Sequence, residues 1–239
     1  VTLGGAGSYA NKNAATGKTY TLTNLALSGA DAANYSLSTG ASLTATNGVV
    51  TAKAITVSGV ASNDKVYDGN TSASLAGSAV LSGSVAVGSG SSIDGRWYAG
   101  DTVSITGPPS GTFNSKNVAE ANSVTFSGLS LTGAQAANYT LTVQSAATAR
   151  ITPKAVTLLA SKTYDGTTGL TGYVTVNGRI GSEVLGYSGA AANDAHVGTL
   201  GKYISAIALA DGGSGATAGL ASNYSLPVLN AANAPVTIT

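Results

Sequence analysis

Apolar residues alternate with hydroxyl-bearing ones along short stretches of this chain. Val103-Ser-Ile105, Val124-Thr-Phe126, Leu129-Ser-Leu131 and Leu141-Thr-Val143 each put an apolar side chain on every second position. A period of two sends successive side chains to opposite faces, so one face is buried and the other meets water. Residues 54–57, 80–81, 85–87, 103–105, 124–131 and 139–143 are therefore predicted strands. Gly or Asp-Gly separates them at intervals of about 8–12 residues, the spacing of a sandwich or barrel. Pro108-Pro109 stops any strand that reaches it. Helical signal is confined to Ala-rich turns such as 134–137, with no long stretch of helical periodicity. The predicted class is all-β, as tandem small β-sandwich modules of immunoglobulin-like form. The alternative is grasp-like mixed sheets with one short helix.

The chain repeats itself. Lys53-Ala-Ile-Thr-Val returns as Lys154-Ala-Val-Thr-Leu, and Lys65-Val-Tyr67-Asp68-Gly69-Asn-Thr returns as Lys162-Thr-Tyr164-Asp165-Gly166-Thr-Thr. Ala33-Asn34-Tyr35-Ser-Leu37 returns as Ala137-Asn138-Tyr139-Thr-Leu141 and as Ser222-Asn223-Tyr224-Ser-Leu226. Residues 9–37 align without a gap onto 113–141, matching Lys12-Asn13 with Lys116-Asn117. One complete repeat module runs over 53–152, and a second, atypical one over 153–239. Residues 1–52 match the C-terminal part of a repeat and are expected to be a truncated one. Whole-body repetition suits stalks and binding arrays better than a catalytic chain. Within the third motif, the form D-x-A-x-Y-x-L at residues 31–37 resembles the tyrosine corner of immunoglobulin domains. Tyr35, Tyr139 and Tyr224 are accordingly expected to bury a ring and bond a nearby backbone group.

Taken together, the Lys65–Thr71 heptad motif, Gly100-Asp101-x-Val103, Gly111-Thr112-Phe113-x-x-Lys116-Asn117-Val118 and Leu129-x-Leu131-x-Gly133-Ala134-x-Ala136-x-Asn138-Tyr139-x-Leu141 resemble the YDG repeat. That repeat and the related MBG type occur in long bacterial exoproteins of the filamentous-haemagglutinin, two-partner-secretion kind. The resemblance implies a structural stalk of a secreted or surface-bound adhesin that spaces or assembles an adhesive fibre, as in a biofilm. It implies a location outside a Gram-negative cell or on its outer membrane. It supplies no catalytic residue. The last repeat departs from the pattern: Glu183 stands near the place of Asp101, His196-Val197 stands for Asn117-Val118, and 211–219 reads as an insertion.

Composition narrows the chemistry. Among 239 residues there are no Cys and one His, His196, which removes disulfides, thiolate catalysis, zinc–thiolate sites and a two-His metal site. Lys and Arg number 11 against 10 acids, too sparse for a nucleic-acid stripe. No apolar run approaches the ~18 residues of a membrane span. No phosphate loop, zinc spacing or dinucleotide fingerprint occurs. The reading is of a protein that is not an enzyme and needs no cofactor or metal. Its expected partners are neighbouring repeats of its own chain, other copies in a fibre, and surface glycans or exopolysaccharide.

Several residues still invite a function. Asp68 and Asp165 offer Ca²⁺ ligation or pairing with Lys65 and Lys162, but Asp-Gly also builds a tight turn unaided. Asp94, Asp101, Asp194 and Asp211 are scattered and lack the spacing of a calcium loop. Lys116, Asn117 and Glu120, with Lys12 and Asn13, suggest an intramolecular Lys–Asn crosslink, although adjacent strand residues face apart. Arg96-Trp97-Tyr98 joins a cation to two rings in a loop between Gly95 and Gly100, and is the candidate ligand-binding cluster of a carbohydrate-binding module. The alternative for Trp97 is a structural one, covering the core or a module junction.

Overall fold

The structure, a computed structural model, describes residues 1–239. It contains 21 strands, and its only helices are four single turns of 3-10 type. Strands are two to fourteen residues long and join into small sheets of two to four. The backbone falls into two compact units. One gathers Val1–Val60, Gly77–Pro109 and Ser127–Gln144; the other gathers Ala61–Ala76, Ser110–Phe126 and Ser145–Thr239.

The first unit opens on an antiparallel sheet with Ala15–Ser28 between Thr2–Tyr9 and Leu43–Val50. Gly, Ser and Thr dominate these strands, so little apolar surface is available to bury. Both faces of the sheet remain largely exposed, including Leu3, Leu43 and Val49. The apolar centre of the unit lies on Lys53–Ser62, whose Lys53, Ile55 and Val57 alternate inward. Tyr139–Thr142 runs parallel to this strand, with Tyr139 opposite Lys53 and Leu141 opposite Ile55. A short antiparallel pair joins Ser104–Thr106 to Ser130–Thr132. Gly133 follows at φ 116°, and a Cβ there would lie 2.3 Å from the Thr102 carbonyl oxygen, so only glycine fits.

The second unit holds the larger core. Phe113, Val124, Ile151, Val156, Leu158, Leu170 and Ile204 are buried in it. Ser110–Phe113 and Ser123–Ser127 pair within a four-stranded sheet, and both point alternate apolar residues inward. Thr157–Lys162 pairs antiparallel with Val174–Asn177 and parallel with Val236–Ile238. Leu185–Ala192 and Ile204–Asp211 form a hairpin.

Four parallel pairings follow the sequence repeat. The Lys-Ala-[Ile/Val]-Thr segment pairs with the Asn-Tyr strand, at residues 53–56 with Tyr139–Thr142 and at Lys154–Ala155 with Tyr224–Ser225. The Lys-x-Tyr segment pairs with the last strand of its repeat, Lys65–Val66 with Ile151–Thr152 and Lys162 with Ile238. Period-two patterning says which face is buried but not which strand is the neighbour, so these pairs were not readable from it.

The β class is as expected, and strands cover the predicted 103–105 and 139–143 to within a residue and 54–57 and 80–81 within longer strands, Lys53–Ser62 and Leu75–Leu81. The predicted strand over 124–131 is two strands, Ser123–Ser127 and Ser130–Thr132, which join different sheets because Gly128 turns the backbone at φ 84° between them, and no strand forms at 85–87. There the Gly- and Ser-rich segment makes a single bridge, Val85 to Tyr98, because few side chains exist to hold a longer ladder. The Ala-rich turn appears three times, at Ala32–Asn34, Ala136–Asn138 and Ala221–Asn223.

Candidate functional site

The three Asn-Tyr motifs sit where a 3-10 turn runs straight into extended backbone. In the first unit the turn carries Asn138 towards the loop that holds Lys12 and Asn13. Asn138 Oδ1 accepts the Ala14 amide at 2.8 Å, and its Nδ2 donates to Asn13 Oδ1 at 3.2 Å. Beside it the Tyr139 hydroxyl donates to Asp101 Oδ2 at 2.7 Å and accepts the Tyr98 amide at 3.0 Å. Lys12 Nζ closes the cluster on Asp101 Oδ1 at 2.5 Å.

The second unit repeats this geometry with the next pair of repeats. Asn223 Oδ1 accepts the Val118 amide at 2.8 Å, and its Nδ2 donates to Asn117 Oδ1 at 3.2 Å. The Tyr224 hydroxyl donates to Glu183 Oε2 at 2.6 Å and accepts the Ile180 amide at 2.9 Å. In both clusters the Asn of a Lys-Asn copy meets the Asn of an Asn-Tyr copy further along the chain, and the tyrosine beside that Asn bonds an acid. Each cluster lies wholly within one unit.

One partner differs. The second carboxylate oxygen, Glu183 Oε1, accepts the hydroxyl of Tyr67 at 2.6 Å, where Asp101 accepts Lys12. Tyr67 packs edge-on against Tyr224 with ring centres 5.4 Å apart and is 2 % exposed. The tyrosine of the first Y-D-G motif thus meets the last Asn-Tyr copy and its acid.

Charge is matched inside both clusters. Burial alone would raise the Asp101 carboxyl, but hydrogen bonds from Lys12 and Tyr139 outweigh it and hold the group below its usual range. Burial, reinforced by the neighbouring carboxylates, pushes the Tyr139 and Tyr224 phenols up to about 12. Tyr67 is raised further for the same two reasons.

The Y-D-G turns themselves are alike. Lys65 Nζ and Lys162 Nζ each donate to the motif aspartate at 2.7 Å. Asp68 and Asp165 each accept the backbone amide two residues on, and Gly69 and Gly166 sit at φ 79° and 78°. The turn and the Lys–Asp pair are therefore both present. Tyr164, unlike Tyr67, is 52 % exposed. Tyr35 is 64 % exposed, against 6 % for Tyr139 and 5 % for Tyr224, so the expected burial of the Asn-Tyr tyrosine occurs in two copies of three. Tyr139 and Tyr224 each lie in a parallel strand pair and bond an acid, whereas Tyr35 lies outside the strands. The backbone amides that the buried copies bond lie some 40 residues upstream, not in the adjacent corner.

The Arg96-Trp97-Tyr98 cluster does not converge. Arg96 donates to the carbonyls of Gly83 and Ser84, bracing its own loop. Trp97 is half-buried and lines an open cleft with Val80, Leu81, Val103 and Ile105. Tyr98 faces a different cavity, where the Lys53 ammonium lies 4.7 Å from its ring centre and pairs with Asp94 at 2.6 Å. The scattered aspartates are each engaged by protein groups: Asp94 by Lys53, Asp101 by Lys12 and Tyr139, Asp194 by His196, and Asp211 by the Ala221 amide. No three His, Asp or Glu side chains gather. Glu120 is held by Ser115, and Asn117 by Asn223, rather than by Lys116.

Sequence reasoning aligned Glu183 with Asp101 but read it as a departure, and it passed over Asn138 and Asn223 as ligands of the preceding repeat. The signal was present: the Asn of Asn-Tyr recurs in all three copies, and Lys-Asn recurs in two.

A search of the curated proteins finds no match, and neither does a search of the solved structures. The family model of the YDG domain matches residues 1–45 and 51–149. With the Y-D-G tyrosine, its aspartate turn and the repeating Asn-Tyr junction in view, the chain belongs to the YDG domain family.

Proposed function

We propose that the chain is an architectural region whose repeats lock end to end, spacing or assembling an adhesive fibre of a secreted or surface-bound bacterial adhesin of the filamentous-haemagglutinin-like type. The observation that carries this reading is the recurrence of the same junction between consecutive repeats, down to the 2.8 Å and 3.2 Å bonds made by Asn138 and by Asn223. An active site is built once; a joint is copied. The partners in this reading are neighbouring repeats and, in a fibre, other copies. The location is extracellular or on the outer membrane of a Gram-negative cell. For the module itself, the immunoglobulin-like sandwich and the grasp-like mixed sheet remain the two proposals, and the parallel pairs closing each repeat favour the second.

A second reading, a carbohydrate-binding module, is favoured by Trp97, whose ring lines an open cleft beside Ile105 and Leu81. Sugar faces stack on such rings. A glycan array with the purified chain and its Trp97→Ala variant separates the two. The architectural reading expects no Trp97-dependent binding. Binding that vanishes in the variant overturns it in favour of the second.

A further inference from the structure

The Asn13–Ala14 peptide group is held from two sides. Its N–H donates to Asn138 Oδ1 at 2.8 Å, and its carbonyl accepts the ammonium of Lys18. In a trans peptide the N–H and the C=O leave opposite edges of one plane, so the asparagine and the lysine grip the same rigid group. Lys18 is 7 % exposed and pairs with no carboxylate. Its second partner is Asn11 Oδ1 at 2.6 Å, which also accepts the Asn13 amide at 3.1 Å. Burying an ammonium without a counter-ion costs free energy, and carbonyl dipoles offset that cost only while the loop holds them in place. Loop and lysine therefore order each other.

The loop occurs three times. Bonds of 3.0 Å from the Ala10 amide to the Thr19 carbonyl, from Asn114 to Ser123 and from Asn193 to Tyr203 close its copies. The residue before the closing carbonyl is Lys18, Asn122 and Lys202 in turn. Lys202 is again 7 % exposed and without an acid, and donates to the carbonyls of His196, Val197 and Thr199 at 3.1, 3.0 and 2.5 Å. His196 stands at the place of Asn13, so the same carbonyl receives the lysine in both copies. The middle copy has no lysine there. Its Asn117 carbonyl accepts the amides of Glu120 and Ala121 instead, at 3.1 and 2.9 Å. Asn114 also braces that loop, with Oδ1 on the Asn122 and Ser123 amides and Nδ2 on the Glu120 carbonyl. Ala10, at the place of Asn114, has no side chain for this work.

We infer that Lys18 is the positioning residue of the first joint: its ammonium fixes and polarises the Asn13–Ala14 peptide so that the Ala14 amide meets Asn138. A cation on the carbonyl draws charge from the peptide nitrogen and makes its N–H a stronger donor. The inference deepens the architectural reading and rests on it for the meaning of the Asn138 contact as a lock between repeats.

The test is amide exchange in the full chain carrying Lys18→Met, which keeps an apolar stem and removes the donor. Ala14 should exchange at least about tenfold faster, the scale of one lost hydrogen bond to a charged group. Thr56, whose amide donates to the Gly95 carbonyl at 2.9 Å, should stay slow, and so should Val118, which has no lysine behind it. A double-mutant cycle with Asn138→Ala separates positioning from support of the loop alone. The penalty of Lys18→Met, read as the unfolding constant, should shrink by a factor of about 2 or more once Asn138 is gone. Equal acceleration at Ala14 and Thr56, or a cycle without coupling, overturns the inference. Protection of Ala14 that survives Lys18→Met overturns it alone, whereas fast exchange of Ala14 already in the wild type overturns the architectural reading with it.

Discussion

The side-chain oxygen of Asn223 accepts the backbone amide of Val118 across 105 residues of sequence. Asn223 is 1 % exposed and spends its other group on Asn117. An asparagine here satisfies a donor and an acceptor of the preceding repeat at once, which neither a carboxylate nor an aliphatic side chain can do. Asn223→Ala leaves the Val118 amide and the Asn117 oxygen without partners. The expected cost is about 1–3 kcal/mol, seen as a lower denaturation midpoint at unchanged slope. Asn34→Ala, in the copy whose tyrosine is exposed, should be neutral within about 0.5 kcal/mol.

The two Y-D-G tyrosines predict opposite outcomes for one substitution. Tyr67→Phe keeps the ring against Tyr224 but strips the bond to Glu183, a loss of about 1.5–3 kcal/mol for a hydrogen bond to a charged group. Tyr67→Ala also opens a cavity and should cost about 3–5 kcal/mol. Tyr164→Phe removes a hydroxyl that meets solvent and should leave the melting temperature unchanged. Equal effects at 67 and 164 in thermal melts would mean that the motif tyrosine serves only its own turn.

The same buried phenols set the alkaline limit. Tyr139 and Tyr224 titrate near 12 in the fold, against an ordinary 10.0. Their folded values are raised, so the stability they contribute is complete below pH 10 and is lost as pH rises towards 12. Absorbance of phenolate should rise in two waves, exposed tyrosines first and these two with unfolding. Tyr139→Phe with Tyr224→Phe should flatten the fall in stability between pH 10 and 12.

At the acid end the sign reverses. Asp101 is held below its ordinary 3.8 by Lys12 and Tyr139 against the opposing effect of burial. A depressed carboxyl contributes stability above its unfolded value and loses it as pH falls through the folded one. Denaturation of the wild type should therefore steepen below about pH 4, and Asp101→Asn should be less stable at pH 7 yet lose less on acidification.

Much of this arrangement was legible as repetition. Aligning the copies brought Lys12-Asn13 over Lys116-Asn117 and Tyr35 over Tyr139 and Tyr224, and the period of two marked Ile55, Val57, Val124 and Phe126 as core. What alignment did not carry was who meets whom. Asn13 reads as part of a Lys–Asn crosslink candidate until Asn138 is seen beside it, because a hydrogen bond between side chains 125 positions apart leaves no local pattern. The aspartate of Y-D-G was legible because its partners are within five residues; the tyrosine was not, because its acceptor lies 116 residues on.

The most direct test of the repeated joint is amide hydrogen exchange at Ala14 and Val118. If consecutive repeats are locked by Asn138 and Asn223, both amides should exchange as slowly as core strand amides such as that of Leu158. Asn223→Ala should then release Val118 while leaving Ala14 protected, and Asn138→Ala should do the converse. Fast exchange of both amides in the wild type, at the rate of an exposed loop, would contradict the account.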